Sequence, residues 1–441
     1  MERVNHISRR TFLRSLGAAG AALTVLPSRT FASTAANSKL QVASIGVGRN
    51  MQSLMGSERM AFVALCDVDA NRLEGVGEDY PDARRFSDWR ELFAEMGDEI
   101  DAVHVCTPDH SHAGPSMTAV NLGKHVFCEK PLTHQVNEAR QLTLAAQRQG
   151  IVTQMGIQIH SNAEYRNAVA LIQSGAIGKV KAVHSWSSKT WGHDDGLPEE
   201  TEDPPEYLNW EAWLGGAPYR DYAPGLYHPS NWRRWYDFGC GTMGDMGIHI
   251  LDPVVWALEL GAPATIRSES PPPHKHAHHN ENRVVYAFEG TDYTDGGITL
   301  TWYDGRDEPD TSDWPELPED VERPREGSIF LGEDGALLLP HVDPPVLLPE
   351  AAFRDYDHPD RGRKNHYHQW VNACLGDDET SAPFDYSGPL TEMLLLGVLA
   401  CRFPGQELRW DQDAMAFTNF AEANALLKRP CREGWEVDGL A

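Results

Sequence analysis

The chain has 441 residues and a formal net charge of −27 at pH 7, since 65 acidic side chains outnumber 38 basic ones. This length suffices for two domains with a sizeable core, and this acidity excludes non-specific binding to nucleic acid or to an anionic membrane surface. The seven cysteines have no paired spacing, which argues against a disulfide framework or a zinc site and predicts buried free thiols.

The first segment of the chain has the pattern of an export signal. Ser8–Arg14 reads Ser-Arg-Arg-Thr-Phe-Leu-Arg, and the apolar run Leu16–Leu26 is shorter than the ~20 residues that span a bilayer. The pattern resembles a twin-arginine signal. It predicts a signal peptide over residues 1–36, the twin-arginine translocase as a partner, a periplasmic or secreted protein and no membrane anchor. The alternative is a surface amphipathic helix with two arginines by chance. Small residues suited to cleavage are Ala32, Ala35 and Ala36.

Residues 39–158 alternate short apolar runs with amphipathic segments. The runs are rich in valine and typical of buried parallel strands, while the segments between them have helical spacing and end at glycines. This alternation predicts an α/β fold of the Rossmann type, with a doubly wound parallel sheet. The predicted strands are Leu40–Gly46, Phe62–Asp67, Asp101–Thr107, Lys124–Glu129 and Ile151–Met155, and the predicted helices are Asp88–Met96, Ser111–Leu122 and Thr133–Gln149.

A glycine turn follows the first predicted strand, and an acid ends the second. Gly46 and Gly48 would let the backbone approach a pyrophosphate, and Asp67 lies about 20 residues further on, where a ribose-binding carboxylate is expected. Met51 replaces the third glycine of the usual pattern, so the helix that follows must pack differently. Asp67 favours NAD, because a carboxylate repels a 2′-phosphate, whereas Arg49 keeps NADP open. The alternative is a tight turn in a sheet protein that binds no nucleotide.

The pattern changes over residues 159–441, which are predicted to form a second domain. A helix and a strand are followed by a stretch rich in proline, glycine and tryptophan, from Trp191 to Trp235, and then by further strands and helices. This order predicts an α+β domain with a mostly antiparallel open sheet. The predicted strands are Val180–Ser187, Arg283–Glu289, Gly297–Tyr303, Gly327–Gly332 and Ala336–Leu339, with a hairpin turn at Glu333-Asp334-Gly335, and the predicted helices are Tyr165–Ser174, Asn365–Leu375 and Gly388–Arg402.

Three motifs, in this order and spacing, carry a family resemblance. They are Cys106-Thr107-Pro108-Asp109-His110-Ser111-His112, Glu129-Lys130-Pro131 and Gly244-Asp245-Met246-Gly247-Ile248-His249-Ile250-Leu251-Asp252. Together they resemble the Gfo/Idh/MocA family of NAD(P)-dependent sugar and cyclitol oxidoreductases, over nearly all of residues 40–441. Residues 231–239 and 384–392 resemble the secreted members. The resemblance implies a Rossmann domain followed by an α+β substrate-binding domain, and a homo-oligomer, either a dimer or a tetramer.

Lys130, Asp245 and His249 are the catalytic residues that the resemblance implies. Lys130 follows a strand end that faces the ligand crevice, where an amine can polarise a substrate hydroxyl. Asp245 and His249 are four residues apart, so a helix would place both on one face. His249 would then be the general base, and Asp245 would bind a substrate hydroxyl. The alternatives are an ion pair between Lys130 and Glu129, and a core histidine preceded by Asp245 as an N-cap.

Two further sets of residues are expected around that centre. The cofactor-binding set comprises Gly46, Gly48, Arg49, Asp67, Thr107, Pro108, His112, Glu129 and Lys130, with His112 beside the nicotinamide. The substrate set lies in the irregular stretch, where aromatic faces can stack on sugar rings and arginine can bind a carboxylate. About half of this set is expected to be plain packing. Its members are Trp191, His193, Tyr227, Trp232 and Arg233.

Two other features are expected to be structural. A histidine-rich run could suggest a metal site, but no carboxylate or cysteine is spaced to complete the coordination, so a solvated loop and no bound metal are expected. Asp252 precedes Pro253 and is expected to cap a restarted helix. The run consists of His274, His276, His278 and His279.

Three functions are compatible with these features. The favoured one is an exported oxidoreductase that transfers hydride between a hydroxyl carbon of a sugar, sugar acid or cyclitol and a nicotinamide cofactor. Because that route exports folded proteins and free dinucleotide is scarce outside the cytoplasm, the cofactor is expected to stay tightly bound and to be recycled in place. The second is redox-neutral glycoside cleavage or epimerisation through transient oxidation. The third is a binding protein without chemistry, which the presence of Lys130 and His249 disfavours.

Overall fold

The computed structural model describes residues 39–48, 51–54, 56–194, 196–197, 200–272, 274–318 and 321–440. The predicted signal peptide at residues 1–36 and the predicted cofactor residue Arg49 lie outside the described residues. Lys39–Ala441 cluster as one unit, so the two sheets below belong to a single body. Within the described part of the chain, no helix combines the length and the apolar character that crossing a bilayer requires.

Six short segments form a parallel sheet, which confirms the predicted doubly wound fold. The spatial order is β3-β2-β1-β4-β5-β6, and every pairing is parallel. The order reverses direction between β1 and β4, and the carboxyl ends of strands at such a switch point open a ligand crevice. The strands are β1 (Leu40–Ile45), β2 (Met60–Cys66), β3 (Arg84–Phe86), β4 (Ala102–Val105), β5 (His125–Glu129) and β6 (Thr153–Gly156). The sequence did not predict β3, which is short and begins with two arginines.

The helices of this half begin and end at local signals. The carboxylate of Asp69 accepts from the first backbone N–H groups of α2, and α5 ends at Gly150, whose φ of +64° suits glycine. Helix α1 has only four residues, and Met51 is buried in it where the usual pattern has a glycine. The helices are α1 (Met51–Leu54), α2 (Ala70–Gly77), α3 (Trp89–Met96), α4 (Ala113–Asn121) and α5 (Val136–Gln149).

The second sheet has nine strands and is mostly antiparallel, as predicted. Only β7 and β10 pair in parallel, and the order is β13-β12-β11-β7-β10-β9-β8-β14-β15. The predicted hairpin joins β11 to β12, where Gly332 N donates to Gly335 O at 2.8 Å. The strands are β7 (Val180–Ser187), β8 (Thr265–Ser268), β9 (Glu281–Phe288), β10 (Thr294–Gly305), β11 (Glu326–Gly332), β12 (Ala336–Pro340), β13 (Val346–Leu348), β14 (Glu407–Asp411) and β15 (Ala416–Phe417).

The longest helix of the second half starts earlier than its sequence suggests. It begins at Phe384 rather than at the predicted Gly388. Thr143 Oγ1 on α5 donates to Phe384 O at 3.3 Å, and Arg140 forms an ion pair with Glu392. Contacts between the two helices therefore hold the first turn. The helices are α6 (Ala163–Gln173), α7 (Trp210–Leu214), α8 (Ile248–Leu258), α9 (Glu350–Phe353), α10 (His366–Cys374), α11 (Phe384–Ala400) and α12 (Ala421–Asn424).

One hydrophobic core connects the two sheets. Val103 of the first sheet, Trp302 of the second and Leu396 of α11 are fully buried members of one cluster. The site between the sheets is therefore built on a continuous packed body. All seven cysteines are free, and four are buried, whereas Cys431 is exposed.

Candidate functional site

A cavity of about 360 Å³ opens at the carboxyl ends of the parallel strands, beside the switch point. Residues from β1, β2, β4 and β5 meet there because parallel strands end at the same edge of a sheet. Every predicted cofactor residue within the described ranges lines it, and Arg49 lies outside those ranges. The lining members of the set are Gly46, Gly48, Asp67, Thr107, Pro108, His112, Glu129 and Lys130.

The floor of this cavity accommodates a dinucleotide in two respects. Gly46 has φ +87°, and a Cβ there would lie 2.3 Å from Cys106 O, so glycine alone suits the turn. Asp67 Oδ2 accepts from Val47 N at 3.0 Å, which ties the acid to the glycine turn. Burial raises the pKa of Asp67, although hydrogen bonds from Val47 and Asp69 act in the opposite direction. The carboxylate therefore lies where a ribose hydroxyl can reach it.

The loop that follows β4 forms one wall of the cavity. It contributes a hydroxyl without a hydrogen-bond partner among the described residues, and a histidine whose two ring nitrogens each face an acceptor. Thr107 Oγ1 is buried without a partner among the described residues, so a bound ligand can satisfy it. Both ring nitrogens of His112 face carbonyl oxygens, Pro131 O at 2.7 Å and Thr107 O at 2.8 Å. Burial opposes its protonation, but Cys128, Asp109 and the Pro131 carbonyl raise the pKa of His112 to about 10. His112 therefore fixes two strand ends and is a positioning residue.

The outer wall comes from residues 205–235, which we call the cover segment. Its backbone is joined to the end of β2: Asn209 N donates to Val68 O at 2.8 Å, and Ala70 N donates to Tyr207 O at 2.8 Å. His228 Nε2 lies 3.2 Å from Asp69 Oδ2. Trp232 and Arg233 of this wall belong to the predicted substrate set. The sequence did not predict the contact of the wall with the end of β2, because nothing in an irregular stretch signals which strand end it meets. Its cavity-lining residues are Ala212, Trp213, His228, Pro229, Trp232 and Arg233.

Lys130 joins the cavity to the second half of the molecule. Its Nζ donates to Asp245 O at 2.7 Å and to Asp245 Oδ1 at 2.8 Å. The peptide bond from Lys130 to Pro131 is cis. Glu129 instead lies 3.5 Å from His104 Nε2. The lysine is thus paired with the second domain's motif, and not with its neighbour in sequence.

Asp245 lies on a π-helical turn, which corrects the expected α-helical face. The turn spans Met243–Gly247 and precedes α8, which begins at Ile248. Such turns recur at functional sites because they re-aim side chains. Asp245 Oδ2 accepts from Trp191 Nε1 at 2.7 Å, and Arg233 Nε lies 3.5 Å from Oδ1. Burial disfavours the carboxylate, but Lys130 and Arg233 hold the pKa of Asp245 below its ordinary value.

His249 is the second residue of α8 and is buried. Its Nδ1 has no hydrogen-bond partner among the described residues. Burial and then the charge of Lys130 lower the pKa of His249 well below 6.5, whereas Asp245 acts to raise it. The ring is therefore neutral at neutral pH, which is the form a general base needs.

Asp252 does not cap a restarted helix, so that expectation is wrong. Helix α8 continues through Pro253, and Asp252 is fully buried inside it. His160 Nδ1 lies 3.0 Å from its carboxylate, and Tyr386 Oη donates to it at 2.6 Å. These two partners satisfy the buried acid, which has a structural role.

Three further residues lie around His249 and the π-helical turn, and the sequence did not predict them there. The ring of His341 lies 6.0 Å from that of His249, and Tyr165 Oη lies 2.8 Å from His341 Nδ1. Lys189 Nζ lies 3.0 Å from Met246 Sδ on the π-helical turn. His341 follows β12 and Lys189 follows β7, so only the pairing of distant strands brings them here.

The predicted substrate set divides into two groups. Trp191 and Arg233 both contact Asp245, and Trp232 lines the cavity beside them. Tyr227 is buried in the aromatic cluster of the cover segment, and His193 packs on Trp235 at 4.8 Å between ring centroids. The last two are packing residues at the edge of the site.

Two findings concern metal-type side chains. His278 and His279 are buried and face carbonyl oxygens of Gly239 and Pro272, so the expected solvated loop is wrong for this part of the run. The contact of His278 with Gly239 involves a distant segment that the run does not signal, whereas His279 contacts Pro272 in its own stretch. One potential ligand atom from each of His104, Cys106 and Glu129 lies within 4.8 Å of the others, and Cys106 and Glu129 line the cavity. The spacing of these residues in the sequence does not predict this cluster.

Comparisons with known proteins agree with this architecture. An oxidoreductase family model described as an NAD-binding Rossmann fold (GFO_IDH_MocA) matches residues 40–157. A second model of the same family, the C-terminal alpha/beta domain, matches residues 166–311.

Individual relatives are distant. The chain is 26% identical to a levoglucosan dehydrogenase of Pseudarthrobacter phenanthrenivorans, over 38% of this chain and 37% of that protein. It is 29% identical to an inositol 2-dehydrogenase of Salmonella paratyphi B, over 28% of this chain and 36% of that protein. The chain thus spans less than half the length of the curated relatives it matches. The WlbA dehydrogenase from Bordetella pertussis, solved with NADH and UDP-GlcNAcA, has a TM-score of 0.59 at 16% identity, covering 85% of this chain and all of that one. At that identity the likeness shows the fold alone.

Proposed function

Because the chain belongs to the Gfo/Idh/MocA oxidoreductase family and carries its NAD-binding Rossmann domain, we propose that it is an exported NAD(P)-dependent oxidoreductase. It transfers hydride between a hydroxyl carbon of a sugar, sugar acid or cyclitol and a tightly bound nicotinamide cofactor. The dehydrogenases named among its relatives support this substrate range.

One observation carries the proposal. Lys130 lines the cofactor cavity and its ammonium contacts Asp245 at 2.8 Å, beside a buried histidine whose pKa is held low. A fixed cation, a fixed carboxylate and a neutral base are the groups that oxidation of a hydroxyl requires.

The residues divide the chemistry between them. A bound nicotinamide supplies the acceptor or donor of the hydride at the carbinol carbon. Lys130 holds and polarises the substrate oxygen, and Asp245 orients Lys130 while accepting from a substrate hydroxyl. His249 takes the hydroxyl proton during oxidation and returns it during reduction, since microscopic reversibility requires the same group in both directions.

The cover segment supports retention of the cofactor. Its backbone hydrogen bonds to Val68 and Ala70 lie beside Asp67, so the segment forms a wall along one side of a dinucleotide bound there. Retention would suit export to the periplasm through the twin-arginine pathway, where free dinucleotide is scarce. A carbohydrate substrate, the twin-arginine translocase and a second copy of the chain, as a dimer or tetramer, are the partners we propose.

The first test is the dinucleotide content of the mature protein. We would purify it from a host with a twin-arginine pathway, denature it and identify the released dinucleotide by mass spectrometry. About one NAD or NADP per chain is expected, because the cover segment shields one side of the cavity. An empty protein that binds NAD weakly would contradict retention.

A redox-neutral reaction is the second candidate, and the Tyr165–His341 pair favours it. A hydrogen-bonded histidine 6.0 Å from His249 offers a second acid–base group, which could remove the proton from the carbon next to a transiently oxidised one. Cleavage of a glycoside without net cofactor reduction would identify this reaction. Stoichiometric cofactor reduction by a free sugar would instead identify the first.

A further inference from the structure

Three cationic side chains lie at the π-helical turn, near the carboxylates of Asp245 and of Asp109 on the cavity wall. Lys130 and Arg233 both approach Asp245, and Lys189 approaches the next residue, Met246. This excess of positive charge occurs in a chain whose acidic side chains far outnumber its basic ones. Because Lys130 already neutralises Asp245, the charges of Arg233 and Lys189 are left to face a ligand.

Arg233 is positioned by two tryptophan rings and not by a bidentate ion pair with a carboxylate. Its guanidinium carbon lies 4.2 Å from the ring centroid of Trp232 and 5.3 Å from that of Trp191. Its one ion-pair contact is long, from Nε to Asp245 at 3.5 Å, and does not use the two-pronged geometry that arginine forms with carboxylates. Nη1 donates to Ser230 O only at a long 3.4 Å, so the fork keeps donors for an anion, and its pre-orientation lowers the entropic cost of binding one.

Lys189 is exposed and has no carboxylate partner within the described ranges. Its Nζ contacts the thioether of Met246 at 3.0 Å, a weak acceptor. Glu326 is an acid close to His341, and it accepts from Ser187 Oγ at 3.2 Å. No ion pair between Lys189 and Glu326 forms among the residues that the structure describes.

We infer that Arg233 and Lys189 form an anion-binding subsite, so that the substrate is a carbohydrate that carries a negatively charged group. Arg233 binds that group through its fork, and Lys189, whose ammonium contacts Met246 next to Asp245, supplies a second charge. A carboxylate and a phosphate share this chemistry. The inference rests on the proposed function, because it names the class of substrate for the same catalytic centre.

The test compares matched neutral and charged sugars on the protein with its cofactor as purified. Binding of D-glucose, D-glucuronate and glucose 6-phosphate, and of D-galactose and D-galacturonate, would be measured by isothermal titration. Cofactor reduction would be followed by absorbance. A charged sugar is expected to bind at least about tenfold more tightly than its neutral partner, which is the value of one charge-assisted hydrogen bond. Added salt should reduce this advantage, and the two charged arms separate a carboxylate ligand from a phosphate.

Substitutions of Arg233 and Lys189 test whether these two side chains cause the preference for a charged sugar. Lys189→Met and Arg233→Gln should each reduce the ratio of charged-sugar to neutral-sugar affinity by about tenfold. Arg233→Lys should retain part of it, because it keeps the charge but loses the fork. Lys181→Met is the matched control, because Lys181 is an exposed lysine of β7, the strand that precedes Lys189.

The outcomes separate this inference from the proposed function. Neutral sugars that bind and reduce the cofactor as well as charged ones would overturn the anion-binding subsite and leave the oxidoreductase standing. Loss of bound dinucleotide in Arg233→Gln would show that Arg233 serves the cofactor and would also overturn it. Sugars of both series that neither bind nor change the cofactor would count against the oxidoreductase itself.

Discussion

The two ends of the site are built in different ways. At the cofactor end, Gly46, Asp67 and Thr107 follow neighbouring parallel strands, and each is positioned by the strand that it ends. At the substrate end, Asp245 is held by Trp191, Lys130 and Arg233, which come from three separate segments.

This difference predicts how each end responds to damage. Substituting a side chain that is positioned by its own strand should cost only the contact which that side chain makes locally. A side chain fixed by several partners belongs to a network, in which one removal changes the pKa and orientation of the others. Substitutions at the substrate end should therefore alter rate and pH dependence together, whereas those at the cofactor end should alter binding.

Lys130→Met should have the largest effect, because Lys130 belongs to both ends. We expect turnover to fall by about 10³-fold or more, since the substrate oxygen loses its polarising charge. Dinucleotide content measured after denaturation should stay near that of the unchanged protein. Lys124→Met, at the opposite end of β5, is the control. Equal loss of cofactor and turnover in Lys130→Met would mean that the lysine serves only the cofactor end.

His249→Gln should reduce turnover by about 10²- to 10³-fold, because glutamine can accept a hydrogen bond but cannot take the proton. Steady-state kinetics with a reacting sugar would measure this, with exposed His358→Gln as the control. If His249→Gln kept full turnover at an unchanged melting temperature, the histidine would be a core residue.

Asp67→Ala should weaken cofactor binding by about 10- to 100-fold, the value of hydrogen bonds to a charged group. Titration of NAD into protein stripped of cofactor measures this directly. Exposed Asp79→Ala is the matched control. Unchanged affinity in Asp67→Ala would remove the acid from the ribose site and would weaken the contrast between the two ends.

Trp191→Phe should cost about tenfold in kcat/KM, because it deletes the 2.7 Å donor to Asp245 Oδ2 but keeps an aromatic ring beside Arg233. The pKa of Asp245 should rise when this hydrogen bond is lost. The acid side of the pH profile would report that change. A lower kcat/KM with an unchanged profile would assign Trp191 to substrate contact alone.

The smallest effect concerns pH. Because burial and Lys130 lower the pKa of His249 well below 6.5, its neutral form persists as the pH falls through 6.5. Oxidation should therefore remain active there and should decline only at more acidic pH, as the ring becomes protonated. A profile of kcat/KM that falls by half near pH 6.5 would show that the ring is not held neutral by its surroundings.

The sequence by itself determined the cofactor end. Apolar runs, glycine stops and the spacing from Gly46 to Asp67 are local patterns, and parallel strands bring their carboxyl ends together wherever the sheet forms. It also identified Lys130, Asp245 and His249 as candidates, through motifs that remain recognisable without coordinates.

Tertiary structure alone decided the surroundings of those candidates. The π-helical turn at Asp245, the burial of Asp252 against His160, and the approach of His341 and Lys189 depend on contacts between segments far apart in the chain. The spacing of residues along the chain does not encode such contacts. Tertiary packing selects them among many arrangements whose local secondary-structure propensities are similar. The cover segment is the same case: its irregular sequence became a wall only when its backbone met the end of β2.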